Sequence, residues 1–100
     1  MLNDILYFPT VKPTKDELGQ IDENEKYDRM VFCQKKSIPQ SEFFNAGQSG
    51  IRAEMILIVN TMDYRDEKKL NFKGRIYDIY REYERQDERT ELYCMVKAHD

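Results

Sequence analysis

The side chains that could do chemistry are few and widely separated. The one histidine, His99, stands beside the final residue of the chain, where backbones fray, and a nucleophile needs a base held against it. A solvated tail residue is the plainer reading of His99 than a catalytic base. Cys33 and Cys94 are distant in sequence and form no Cys-x-x-Cys pair. With one His and two such Cys, a zinc set of the usual spacing is not composed. Each cysteine falls in a strand-like stretch, so two buried free thiols are expected rather than a disulfide. Gly47-Gln48-Ser49-Gly50 lacks the Lys-Ser/Thr of a phosphate loop and follows a helical stretch instead of opening one. Asp16, Glu17, Asp22, Glu23 and Glu25 cluster, but without the alternating ligands and closing Glu of a calcium loop; a solvated loop accounts for them. No catalytic residue, metal or cofactor is expected.

One constellation is more suggestive. Arg75, Tyr77, Tyr80, Arg81, Tyr83 and Arg85 interleave basic and aromatic side chains, as oligonucleotide-stacking surfaces do. Asp78, Glu82, Glu84 and Asp87 share the segment, and tyrosines suit barrel walls and subunit interfaces as well. Further along, Glu88 and Glu91 alternate with Arg89, extending a self-compensating charged surface.

The elements that must carry these residues are short. At 100 residues the chain forms one domain. It is 35% charged and 40% hydrophobic with a mean hydropathy of −0.82, yet holds seven Tyr and five Phe, more aromatic surface than disordered chains carry. The net charge of −3 is the excess of acids over bases before residue 31; the remainder is balanced. Such a chain has no general attraction for nucleic acid or anionic lipid. MLNDILYFPT has neither the basic start nor the apolar run of a signal peptide. Met55–Val59, the longest apolar run, is far below the roughly 20 residues that span a bilayer. A cytosolic chain with no membrane partner is expected.

Apolar residues in Asn3–Val11, interrupted by Pro9, fit a first strand at a sheet edge. Residues Thr10–Lys26, with Pro13, Gly19 and dense charge, form a long acidic loop, a length that usually has a function. In Tyr27–Lys36, Met30 and Phe32 would share one face, Val31 and Cys33 the other. Pro39 and Ser41–Ala46 predict one short helix stopped by Gly47 or Gly50, with Phe43 or Phe44, and Ala46 or Gly47 nearby, as the apolar edge that lies on a sheet. Ile51–Thr61 is the clearest strand: Met55, Leu57 and Val59 face one way and Ile56 and Ile58 the other, so both faces must be covered. Lys73-Gly74 marks a hairpin turn before Arg75–Tyr83, and Gln86–Arg89 a second turn before a last strand, Thr90–Ala98. Ile76, Ile79, Tyr80 and Tyr83 match helical spacing too; the preceding hairpin turn tips the segment to strand. The expected fold is mainly β: a small barrel or sandwich of about six strands with one short helix and a long loop between the first two strands.

The ordered series from about Tyr27 to Ala98 resembles the head–tail joining (head-closure, or stopper) family of tailed bacteriophages. Its parts are the strand Met30–Ile38, the helix Ser41–Gln48 with its Glu42-Phe43 start, and the β-branched strand Ile56–Val59. Tyr64 follows, then Leu70-x-Phe72-x-Gly74-x-x-Tyr77-x-Ile79 and the closing strand Glu91–Val96. Relatives often carry a Trp before the helix, which this chain lacks. The resemblance implies a virion protein made in the host bacterial cytoplasm that forms a dodecameric ring in the neck, beneath the portal and adaptor and above the tail or tail-completion protein. It implies that the 10–26 loop lines the DNA channel, so Asp16, Glu17, Asp22, Glu23 and Glu25 would face DNA without sequence specificity. Negative charge there would keep the phosphate backbone from sticking. Glu42, Phe43, Phe44, Ile56 and Ile58 are the expected subunit and partner contacts, unless they pack the helix on its own barrel. A tail-completion or tail-terminator role, or an oligonucleotide-binding barrel, are the alternatives.

Overall fold

The computed structural model describes residues 2–10 and 26–96. These form β1 (Asp4–Thr10), β2 (Lys26–Lys36), α1 (Gln40–Gln48), β3 (Ala53–Asn60), a 3-10 turn (Thr61–Asp63), β4 (Lys69–Phe72), β5 (Arg75–Glu84) and β6 (Arg89–Met95). The strands close into an antiparallel barrel in the order β1-β2-β3-β6-β5-β4. The sequence reading of a mainly β barrel with one short helix and a loop between the first two strands holds. The expectation of an edge position for the first strand does not, because β1 pairs with β2 along its length and with β4 through Leu6↔Phe72 and Tyr7↔Asn71. Pro9 is accommodated by a shift in register between Phe8 and Pro9, the irregularity a residue without an N–H needs inside a paired strand.

Alternation sorts the strands into two faces. Leu6, Phe8, Val31 and Cys33 point into the barrel from β1 and β2, and Met55, Leu57 and Val59 from β3. Leu70, Phe72, Leu92 and Cys94 complete that core from the opposite wall. Both cysteines are buried free thiols, as the sequence reading has them. The segment after β3 must reach β4 on the far side of the barrel, so residues 61–68 cross its mouth. Tyr64 anchors the crossing on Phe8, ring centroids 5.9 Å apart, and its hydroxyl donates to the Glu67 carbonyl at 2.9 Å. Glu67 in turn accepts the Arg65 N–H at 2.8 Å and forms an ion pair with Arg29 of β2.

The ambiguous 75–84 segment is a strand. Its helical spacing arises from a bulge: Ile79 pairs with Cys94 and Arg81 with Tyr93, leaving Tyr80 as the extra residue. Tyr80 and Arg81 then point to the same outer side, and alternation resumes after them. The turn before β5 is left-handed at both centres, Lys73 at φ 53° and Gly74 at φ 82°, the geometry of a tight type I′ hairpin.

Candidate interaction surface

The outer wall of β3, β6 and β5 is where α1 sits. Ile56, Ile58 and Tyr93 form a second buried cluster there, with Ile38 and Tyr80 packed against it. Of the expected apolar edge the helix meets the wall through Ala46, its one buried residue, and not through Phe43 or Phe44. A small side chain lets the backbone approach closely, so the bulky aromatics rotate outward. Phe43 is 48% and Phe44 62% exposed.

Glu42 fastens the first turn of the helix to β5. It accepts the Tyr80 hydroxyl at 2.8 Å and an Arg81 Nη2–H at 2.6 Å. The Arg81 guanidinium lies over the Tyr93 ring, 4.2 Å from its centroid, a favourable cation–π placement. Tyr80 meets Tyr93 edge-on at 6.1 Å, and the Tyr93 hydroxyl donates to Glu91 at 2.8 Å. Burial, and then the Glu91 hydrogen bond, push the Tyr93 phenol up to about 12. Burial followed by the Glu42 bond moves Tyr80 upward as well. Both tyrosines act as neutral hydrogen-bond donors, Tyr80 tying the wall to the helix and Tyr93 bonding within β6.

The structure therefore divides the expected contact residues. Phe43 and Phe44 stand open on α1; Glu42 is engaged in the helix-to-wall network; Ile56 and Ile58 are buried beneath the helix. The acidic residues Asp16, Glu17, Asp22, Glu23 and Glu25, and His99, lie outside the described residues. The Arg–Tyr series of 75–85 does not form one platform. Tyr77 packs against the barrel interior, Arg81 is paired with Glu42, and Arg85 bonds Asp87 at 2.7 Å and approaches Glu91 at 3.6 Å. Among the described residues no group of three or more His, Cys, Asp or Glu side chains could hold a metal ion.

A second apolar surface is one the sequence reading passed over. Ile5, Tyr7, Met30 and Phe32 all lie exposed on the outer face of β1 and β2. Register places Ile5 opposite Phe32 and Tyr7 opposite Met30. The row continues through Asn71 of β4 to exposed Ile76 of β5. The alternation of Met30 and Phe32 was legible; the matching alternation of Ile5 and Tyr7, read across the hairpin, was the signal for the patch.

No family profile matches the chain, and no curated protein matches it in sequence. Among solved structures, the chain is similar to the solution structure of protein SF1141 from Shigella flexneri 2a, with a TM-score of 0.75 and 17% identity over 99% of this chain and 96% of that one. At that identity the likeness shows the fold: a barrel of this form, spanning essentially both chains.

Proposed function

We propose that the chain is a non-enzymatic structural protein of the neck of a tailed bacteriophage, a ring subunit that joins the portal and adaptor to the tail and helps retain DNA. The reading rests on the ordered series of head-closure features between Tyr27 and Ala98. The observation that carries it is their arrangement on one closed barrel: a short helix lies outside, with Phe43 and Phe44 turned to solvent. Exposed aromatics on a small domain suit burial against neighbouring subunits. The dispersal of the Arg–Tyr series among intramolecular partners favours this over an oligonucleotide-binding barrel. On this reading the acidic 10–26 segment would line the DNA path, where its charge would keep the phosphate backbone sliding.

Electron microscopy of virions assembled by the genome that encodes the chain, with the protein labelled, tests the assignment. Label is expected at the head–tail junction; its absence there would overturn the proposal, and label lower in the tail would move the chain to the tail-completion reading. In the same virions, replacing Asp16, Glu17, Asp22, Glu23 and Glu25 by their amides should slow DNA release. Unchanged release kinetics would remove the channel role from the loop.

A further inference from the structure

The strand that carries Met30 and Phe32 also has an open edge. β2 pairs with β1 from Lys26 to Cys33, but with β3 only from Cys33 to Lys36. Among the described residues, no strand pairs the other edge of Asp28–Phe32, because the β2–β3 register stops at Cys33↔Val59 and β3 ends one residue later, at Asn60. Unpaired strand edges invite pairing with another chain. Here the invitation is not blunted where it is strongest: Met30 is 51% and Phe32 52% exposed on the strand itself. Ile5 and Tyr7 extend the apolar surface behind them.

We infer that this edge and face form a self-association surface whose occupant is the same surface of a second copy, paired antiparallel about a two-fold axis. Three observations select that occupant. The partner must supply both a free strand edge and apolar side chains on the outer face, and Asp28–Phe32 supplies both to a copy of itself. The row Ile5, Tyr7, Met30, Phe32 bears no charge, so its two copies meet without Coulombic cost; Asp28 enters only at the two ends of the joint, its carboxylate already accepting the Thr10 hydroxyl at 2.7 Å. Finally, the open edge lies beyond the end of β3, so antiparallel pairing leaves the two barrels at opposite ends of the joint. Pairing centred on Met30 sets the two Met30 side chains opposite each other and Asp28 opposite Phe32. A two-fold joint closes on itself. It is therefore a resting form of the free chain, distinct from any ring contact and independent of the neck assignment.

Four apolar side chains and a five-residue edge are far fewer than the roughly 20–30 residues a side of a standard stable interface, so a weak, reversible dimer follows. Sedimentation equilibrium of the purified chain is expected to show monomer passing to dimer as concentration rises, and exchange of those alternate Asp28–Phe32 amides that face the free edge should slow over the same range. The double variant Met30→Lys, Phe32→Lys removes exposed apolar groups only. It should keep the far-ultraviolet spectrum and melting temperature yet weaken association by about tenfold or more. Phe43→Lys, Phe44→Lys on α1 should dimerise as the parent does. A parent that stays monomeric up to millimolar concentration, or a dimer lost in the helix variant and kept in the strand variant, overturns the inference. None of these readings depends on a virion, so failure of the neck assignment leaves them standing.

Discussion

Cys33 on β2 and Cys94 on β6 share the barrel interior, and their surroundings decide how the protein responds to alkali. Burial is the main reason that each thiol is pushed up from 9.0 to about 12. The Asp4 carboxylate adds to the shift at Cys33, and Cys33 itself adds to the shift at Cys94. In the unfolded chain both thiols ionise near 9.0. Below that value folded and unfolded states hold the same thiol protons, and the full stability is present. As pH rises past it, the unfolded chain releases these protons first, so stability is lost progressively up to about 12. Urea midpoints measured from about pH 8 to about pH 10 should therefore fall. Cys94→Ala should make that fall shallower, while costing about 1–2 kcal/mol at neutral pH for the cavity it leaves. A slope that the substitution does not change would remove Cys94 from the explanation. Tyr80 and Tyr93, held neutral by burial and by Glu42 and Glu91, add their own loss only above the ordinary phenol value of 10.0.

At the scale of elements, the strands were legible wherever a strict period of two met a turn residue. Met55–Val59 alternates without a break, and both of its faces are covered, one by the barrel interior and one by α1, as the apolar run demanded. The Lys73-Gly74 turn was equally plain. With φ 82° at Gly74 and its N–H donating to Asn71 Oδ1 at 3.1 Å, Gly74→Ala should lower stability by about 1–2 kcal/mol. Lys73 sits at φ 53°, which a long side chain tolerates poorly, so Lys73→Asn should raise the urea midpoint by roughly 0.5 kcal/mol equivalent. No change in either variant, or a gain in Gly74→Ala with a loss in Lys73→Asn, would mean the turn does not set the hairpin. What sequence could not resolve was the bulge at Tyr80, because one inserted residue makes Ile76, Ile79, Tyr80 and Tyr83 look helical. Nor could it choose the helix contact. Two adjacent phenylalanines outweigh one alanine in any hydrophobicity count, but close packing on a β wall favours the alanine. The exposed row on β1 and β2 was hidden for a related reason: its four residues belong to two strands, and only register makes them neighbours.

Across the whole molecule the barrel is not equally strong around its circumference, and that inequality was beyond any local reading of sequence. β6 is paired on both sides, to β3 from Arg89 to Met95 and to β5 from Thr90 to Met95. The β1–β4 joint that closes the ring rests on two register pairs. Local opening should begin where the fewest backbone bonds must break. The crossing segment 61–68 opposes it, since Tyr64 on Phe8 and Glu67 on Arg29 clamp the mouth beside that joint. Native-state amide exchange should then rank β3 and β6 slowest, near the global unfolding free energy, and the β1 and β4 amides at the joint faster by a free energy of about 1–3 kcal/mol. Glu67→Gln keeps an acceptor for Arg65 but gives up the charge facing Arg29. It should speed exchange at Leu6, Tyr7, Asn71 and Phe72 while leaving Leu57 and Leu92 unchanged. If exchange rises equally in all six strands, opening is global and the joint is no weaker than the rest of the wall. If it rises at the joint alone, the barrel parts between β1 and β4. The Ile5–Tyr7 half of the apolar row borders that parting through Tyr7, which ties the stability of the mouth to the surface on which a second copy would pair.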